Sequence, residues 1–284
     1  MKLLNLLKSA TLAVSLLSIH SAHAVNLTKR KAQLPINNGQ QTLPLTWLIP
    51  KLSQNSPRAL VVLQHGMMRQ AENMMALAES LVSKNIEVVL PSISDAQYLD
   101  TLFPEAFADS FSKLTHNPNG QTLPAKLLLV GFSAGARFLS HAASLISNAQ
   151  NIRGVLLLDP VVGYLPEQQL GPQLNVPYFT ILGRPSRCNA EGSVFPLLES
   201  GQYQTRGFRL KSASHCDFEG RSSDFLCYLY CGFSPKKNTS AIELFVSEWV
   251  SGLIDNDEPD FAYLPGGKVF EQWQEQGLFD SVFN

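Results

Sequence analysis

The sequence predicts an α/β fold in which a mostly parallel sheet carries helices on both faces. Two observations lead to this prediction. Short apolar runs alternate along the chain with longer segments of helical periodicity, which is the pattern of a parallel sheet with crossover helices. One apolar run, Leu127–Val130, leads directly into Gly131-Phe-Ser133-Ala-Gly135 and then into a helical pattern. This strand, sharp turn and helix place a serine at the carboxyl end of a buried strand.

The other elements follow in a regular order. Strands are predicted over apolar runs that stop at glycine, proline or polar residues, and helices over segments whose apolar residues recur every three and four positions. The predicted strands are Thr42–Ile49, Ala59–Gln64, Ile86–Leu90, the run before Gly131, Val155–Leu158, Tyr178–Leu182 and Gly207–Lys211. The predicted helices are Glu72–Lys84, the segment after Gly135 and Ile242–Ile254. Ligand sites in such sheets lie at the carboxyl ends of the strands.

The first 24 residues have the three parts of a secretory signal peptide. Lys2 and Lys8 precede a short apolar stretch, and Ala22-His-Ala24 forms a cleavage site of small residues. The apolar stretch is too short to span a bilayer. We therefore expect cleavage after Ala24, a secreted or periplasmic protein without stable membrane insertion, and a single domain over residues 25–284.

Charge and composition exclude several classes of partner. The chain has 22 basic and 23 acidic residues, and removal of the signal peptide takes away two lysines and no acid. Nucleic acids and anionic membranes bind clustered lysine and arginine, and nothing in the mildly acidic balance of the mature chain suggests either partner. We therefore expect no nucleic-acid partner. The other expectations are a small-molecule or lipid-like substrate, no cofactor and a monomeric protein.

The four cysteines of this exported chain, Cys188, Cys216, Cys227 and Cys231, predict two disulfides. They include no Cys-x-x-Cys pair, and no histidine lies at ligand spacing from two of them, which disfavours structural zinc. Cys227 and Cys231 are one helical turn apart, so their side chains should point the same way and not bond each other. Two pairings remain, either 188 with 231 and 216 with 227, or 188 with 227 and 216 with 231. We favour the first.

Ser133 is the candidate nucleophile, and a serine hydroxyl needs a base to take its proton and an acid to orient that base. Only His215 follows the last predicted strand and fits the chain order serine, acid, histidine. Asp159 directly follows a strand and precedes Pro160, whereas Glu191 lies in the loop after the next strand. Because a strand tip followed by proline holds a carboxylate more rigidly than a long loop, Asp159 is preferred and Glu191 is the alternative.

The oxyanion that forms when a serine attacks a carbonyl needs fixed backbone donors. The candidates are the amide of Ala134, at the start of the helix after the serine, and the amide of Met67, after a His-Gly turn. Met67, Met68 and Phe132 flank the reaction centre and predict an apolar substrate pocket. The segment from Ile93 to Thr122 contains several large apolar residues, and it either overhangs this pocket or packs on the sheet as a covering helix.

Four motifs resemble the α/β-hydrolase superfamily, and they are Gln64-His65-Gly66, Gly131-Phe-Ser133-Ala-Gly135, Leu158-Asp159-Pro160-Val161 and Ser214-His215-Cys-Asp217-Phe. The sequence is similar in particular to the branch that holds the chlorophyllases and the platelet-activating-factor acetylhydrolase-like esterases. In that branch the acid follows the strand after the serine elbow. The resemblance covers about Ala59 to Phe218. It implies a serine hydrolase that cleaves an acyl or lipid-like ester through an acyl-enzyme.

The resemblance does not extend to the substrate. Chlorophyllases usually have His-Ser-Arg-Gly-Gly where this chain has Phe132-Ser-Ala-Gly-Ala136, so chlorophyll is not implied. A polyester or peptide hydrolase on the same scaffold is one alternative, and a non-catalytic binding protein with this fold is another. The second alternative would be marked by the loss of a member of the serine, histidine and acid set, and none is missing here.

Overall fold

The sheet forms the centre of the molecule and determines where the site lies. The computed structural model describes residues 26–51, 56–147, 151–162, 170, 174–199 and 204–283, and the predicted signal peptide lies outside them. The strands of these residues are β1 (Leu27–Ile36), β2 (Gln41–Pro50), β3 (Leu60–Gln64), β4 (Glu87–Pro91), β5 (Leu127–Phe132), β6 (Ile152–Leu158), β7 (Tyr178–Leu182), β8 (Thr205–Leu210) and β9 (Phe279–Phe283).

The strands are hydrogen-bonded in the order β1-β2-β4-β3-β5-β6-β7-β8-β9. The six strands from β4 to β8 in this order run parallel, β1 and β2 are antiparallel at one edge, and β9 is antiparallel at the other. Every residue of β3, β4, β5 and β7 is buried, as expected for strands that are covered on both faces. The predicted fold class is therefore confirmed.

The helices lie on both faces of the sheet. Those of the described residues are α1 (Met75–Ser83), α2 (Asp95–Leu99), α3 (Phe103–Ser112), α4 (Ala134–Ala143), α5 (Phe195–Glu199), α6 (Phe225–Cys231), α7 (Lys236–Asn256) and α8 (Lys268–Glu275). Buried side chains of α1, α7 and α8 belong to the core on one face, and those of α2, α3 and α4 belong to the core on the other. None of the helices described has both the length and the apolar composition to cross a membrane.

Helix α6 is attached differently. It packs against two 3-10 segments, Arg187–Asn189 and His215–Ser222, and Cys227 is its only buried residue. Two disulfides hold it: Cys188 is bonded to Cys231, with a Cα–Cα distance of 5.6 Å, and Cys216 to Cys227, with 5.9 Å. This is the first of the two pairings left open by the sequence.

Some elements differ from the prediction. Strands β1 and β9 and helix α8 were not predicted, and the helix predicted over Glu72–Lys84 starts as a 3-10 turn before α1. The segment from Ile93 to Thr122 forms α2 and α3. The ring of Phe107 lies 5.2 Å from that of Phe138 in α4 and 5.4 Å from that of Phe111. Helix α3 is therefore a covering helix, which was one of the two alternatives for this segment.

Candidate active site

Ser133 lies in a sharp elbow between β5 and α4. Its φ is +56° and its ψ is −125°, a strained conformation for a residue with a side chain. A Cβ at Gly131 would come within 2.5 Å of Ala136 Cα, and one at Gly135 would come within 2.2 Å of the carbonyl oxygen of His65. Glycine is therefore required on both sides of the serine, because strand and helix pass too closely for any other residue.

Three predicted residues meet at the carboxyl ends of the strands. His215 Nε2 lies 2.9 Å from Ser133 Oγ, and His215 Nδ1 lies 2.6 Å from Asp159 Oδ2. All three residues are buried. The backbone ladder continues past the strand ends, since the amide of Ser133 donates to Leu158 O at 2.9 Å and the amide of Asp159 donates to Ile181 O at 2.8 Å. Nucleophile and acid are thus held by adjacent strands of one sheet.

Besides His215, two other residues donate hydrogen bonds to the carboxylate of Asp159. The amide of Gly183 donates to Oδ1 at 2.9 Å, and Asn189 Nδ2 lies 3.3 Å from Oδ1 and 3.1 Å from Oδ2. Asn189 is itself buried, and its Oδ1 accepts from the amides of Ser186 and Gly192. Every partner of this carboxylate is a donor, so both of its oxygens accept hydrogen bonds in the folded protein. Asn189 was not predicted from the sequence as a residue of the site.

Glu191, the alternative acid, lies elsewhere. It is exposed in the turn that follows the 3-10 segment Arg187–Asn189, and its φ is +56°. Its amide donates to Ser186 O. The structure brings Asp159, and not Glu191, to His215.

The segment that carries His215 is anchored by a second buried carboxylate. Asp217 accepts hydrogen bonds from the amide of Ser214 and from the hydroxyls of Tyr228, Ser234 and Thr239. The disulfide from the neighbouring residue, Cys216, continues to α6. These contacts hold His215 from both sides along the chain.

Arg69 links the loop after β3 to the segment of His215. Its guanidinium donates to both carboxylate oxygens of Glu219, at 2.5 and 2.6 Å, and to Asp224 Oδ2 at 2.8 Å. Burial alone would lower the pKa of Arg69, but these hydrogen bonds outweigh burial and raise it. Glu219 is fully buried. Because the two residues are 150 positions apart, no local pattern in the sequence pointed to this pair.

The two predicted oxyanion donors lie beside the serine. Ala134 is the first residue of α4, and neither its amide nor that of Met67 donates to another described residue. A Cβ at Gly66 would come within 2.8 Å of Ser133 Cβ, so the Met67 loop passes directly over the nucleophile. The loop is held from behind, where the hydroxyl of Tyr98 donates to the carbonyl oxygen of His65. Burial lowers the pKa of the His65 imidazole.

A pocket of about 590 Å³ opens onto Ser133 and His215. The predicted pocket residues Met67, Met68 and Phe132 line it together with Ala134. Most of its other lining is apolar, for example Leu99, Val161, Val162, Leu226 and Tyr230. Its size and character suit a small ligand with an apolar part.

Solved structures similar to this chain share its architecture. A dienelactone hydrolase from Anabaena variabilis is 18% identical, with a TM-score of 0.55 over 80% of this chain and 98% of its own. The esterase domain of a Rhodothermus marinus protein is 12% identical, with a TM-score of 0.52 over 78% and 98% of the two chains. The chain has the α/β-hydrolase fold.

A third structure, a serine hydrolase without a lid from Xanthomonas campestris, is 17% identical, with a TM-score of 0.50 over 66% of this chain and 86% of its own. No protein-family model matches the sequence, and no curated protein matches it either. At identities of 12 to 18%, the comparison concerns the α/β-hydrolase fold and leaves the reaction to be argued from the site.

Proposed function

We propose that this chain is an exported serine hydrolase that cleaves carboxylic esters through an acyl-enzyme on Ser133. The observation that carries the proposal is the unbroken hydrogen-bond chain from Asp159 through His215 to the Ser133 hydroxyl, with contacts of 2.6 and 2.9 Å. Nucleophile, base and acid within hydrogen-bond reach are the geometric requirement for this chemistry. A binding protein that kept only the fold would not need all three in contact.

In the first half of the reaction, Ser133 Oγ attacks the ester carbonyl carbon while its proton passes to His215 Nε2. Asp159 accepts a hydrogen bond from His215 Nδ1, so Nε2 faces the serine unprotonated and the imidazolium that forms is stabilised. The amides of Met67 and Ala134 donate to the oxyanion. The C–O bond to the alcohol then breaks, and the alcohol leaves with the proton from His215 Nε2.

In the second half, water takes the place of the alcohol. His215 Nε2 removes a proton from the water as its oxygen attacks the acyl carbon, and the same oxyanion donors serve the second tetrahedral intermediate. The bond to Ser133 Oγ breaks, the proton returns to Oγ, and the carboxylic acid is released. Apart from the water, the groups that act in these steps are the side chains of Ser133, His215 and Asp159 and the amides of Met67 and Ala134.

Two further parts of the proposal rest on other observations. Disulfides such as those on α6 persist in oxidising compartments, which supports export by the predicted signal peptide. The proposed relation to the chlorophyllase and platelet-activating-factor acetylhydrolase-like branch depends on the motifs around Asp159 and His215. An acyl or lipid-like ester is the substrate class that suits the apolar pocket.

The experiment is covalent labelling with a fluorophosphonate probe, followed by peptide mapping of the modified residue. We expect a single label on Ser133, loss of the label in Ser133→Ala, and normal labelling of Ser144→Ala, a control at the far end of α4. Rates on esters of graded acyl length, with a peptide substrate beside them, separate an esterase from a peptidase. An unlabelled wild-type protein, or a Ser133→Ala variant that still hydrolyses esters at the wild-type rate, would refute the proposal.

A further inference from the structure

The mouth of the pocket lies between two groups of exposed apolar side chains. The first group, here called the α2 arm, consists of three exposed residues: Met68 in the loop after β3, Leu99 at the end of α2, and Leu102 just before α3. Met68 is 82% exposed. Met68 and Leu99 also line the pocket, so this arm is continuous with the inside of the site.

The second group, the α6 arm, consists of Phe225, Leu226, Leu229, Tyr230 and Phe233, each of which is well over half exposed. Leu226 and Tyr230 line the pocket, whereas Phe225 and Leu229 are not part of its lining. Residues four apart share a helix face, so α6 presents one apolar stripe to the pocket and a second one beside it to solvent. Isolated exposed apolar residues are common, but a continuous group around a site marks an interaction surface.

The fold fixes helix α6 in an orientation that leaves the side chains of the α6 arm exposed. Both disulfides end on α6, and Asp224 accepts the amide of Cys227 at its first turn. Arg187 donates to the carbonyl oxygen of Tyr230, and Arg184 donates to that of Phe233. The helix is thus fixed mainly by its ends and its backbone. The side chains of the α6 arm contact Arg187 and one another, as in the Phe225–Phe233 pair with ring centroids 5.8 Å apart, and stay exposed outside the core.

We propose that these two arms seat the protein on the lipid–water interface of an aggregated ester substrate, with the pocket mouth against that interface. This inference rests on the proposed ester hydrolysis. A protein partner or a second copy that covered both arms would also close the pocket between them. Substrate in bulk form is the occupant that can cover this surface while the site turns over.

The charge beside the α6 arm favours an anionic interface. Arg184 and Arg187 contact this arm through backbone carbonyls, and Lys236 and Lys237 follow Phe233 in the chain. Arg184 and Arg187 are far from the two lysines in the sequence, and their hydrogen bonds to Phe233 and Tyr230 bring them to the same arm. Asp224, the acid that directly precedes the arm in the chain, is paired with Arg69. Basic residues beside an apolar surface attract anionic headgroups at the membrane surface, and this attraction is screened by salt.

The test measures binding without turnover. Ser133→Ala protein is sedimented with vesicles of phosphatidylglycerol and phosphatidylcholine, alone and with Phe225→Ser and Leu229→Ser added together. The matched control adds Phe261→Ser, because Phe261 has the same 66% exposure as Phe225 but lies on the 3-10 turn after α7. We expect the double change to weaken vesicle binding by about tenfold or more, because the apolar area inserted into the interface sets its strength, and the control to bind like its parent.

The same changes are then made in active protein. With Phe225→Ser and Leu229→Ser, hydrolysis of an emulsified long-chain ester should fall in proportion to binding, while kcat/KM on a dissolved acetate ester stays within about twofold, since neither residue lines the pocket. Three results would refute the proposed interfacial surface. They are no vesicle binding by the parent protein, an equal loss of vesicle binding in the Phe261→Ser control, or a stable dimer that the double change dissociates. Normal vesicle binding by a protein that hydrolyses no ester would refute the proposed function alone.

Discussion

Replacing the carboxylate of Asp159 with an amide tests the site most directly. Its partners are the amide of Gly183, the side-chain amide of Asn189 and the imidazole of His215, and all of them donate hydrogen bonds. Asparagine offers one acceptor and one donor group in the same space. Whichever way the amide of Asp159→Asn is turned, its NH₂ group faces a donor. The side chain is buried, so water cannot relieve this conflict.

The expected size of the effect follows from this conflict. If the NH₂ group faces His215, the imidazole must accept at Nδ1 and carry its proton on Nε2, where it can no longer take the proton of Ser133. Such a tautomer change lowers kcat by about four orders of magnitude, or about 5.5 kcal/mol of transition-state stabilisation. If the NH₂ group faces Gly183, a buried donor loses its partner and the free energy of unfolding falls by about 1 to 3 kcal/mol. Asp159 does not line the pocket, so KM should change little.

The assay compares Asp159→Asn with two variants that carry the same chemical change. Steady-state rates on a dissolved ester give kcat and KM, and urea unfolding gives stability. Glu191→Gln, at an exposed position, should leave kcat and the free energy of unfolding unchanged. Asp217→Asn should lower the free energy of unfolding, because Asp217 anchors the His215 segment, and should reduce kcat much less than Asp159→Asn does. A full loss of kcat in Glu191→Gln, with wild-type kcat in Asp159→Asn, would refute the assignment of the acid.

Further predictions concern the supports of the site and the stability of the fold. Burial raises the pKa of Glu87 to about 7, so its contribution to stability is complete below its unfolded pKa near 4.5 and is lost as the pH rises to 7. Glu87→Gln should therefore be more stable than wild type at pH 8, by up to about 3 kcal/mol, and not at pH 4; equal urea midpoints at pH 8 would contradict this. Arg69→Ala leaves the fully buried Glu219 without its charge partner, and we expect about 3 to 5 kcal/mol of destabilisation in urea unfolding; Glu219→Gln should cost less, because Arg69 keeps its ion pair with Asp224. Reduction of the Cys216–Cys227 disulfide should lower kcat before the domain unfolds, because the bond holds the neighbour of His215. If activity is lost only when the tryptophan fluorescence changes on unfolding, the disulfide does not act on His215 before the domain unfolds.

The sequence predicted the parallel part of the fold well because its strands are buried on both faces. Strands such as β5 and β7 are buried throughout and almost wholly apolar, and the elbow glycines are required by close approach of backbone atoms. Strand β1 was missed because it lies at an edge and carries exposed residues at Lys29, Arg30 and Lys31. Its partner β2 was found because its second half is buried from Leu45 onward.

The site was predicted where chemistry leaves a local pattern, and missed where it depends on distant contacts. Ser133, Asp159 and His215 each follow a strand or its loop, so their meeting could be expected from the rule that strand ends form the site. Asn189 could not be found in this way, because it reaches Asp159 only through the conformation of the turn that starts at Ser186. The choice of disulfide pairing had a further obstacle, since the sulfurs of Cys216, Cys227 and Cys231 all lie within 4.8 Å of one another.

The way α6 is attached has a consequence for how this protein can change over evolutionary time. Its outward side chains add little to the core, and the helix is held by disulfides and by Arg184 and Arg187. Substitutions at such exposed positions usually alter stability by no more than about 0.5 kcal/mol. Residues 225, 226, 229, 230 and 233 can therefore vary almost independently of the fold. A combinatorial library at these positions should keep most members folded while it diversifies the surface that meets the substrate.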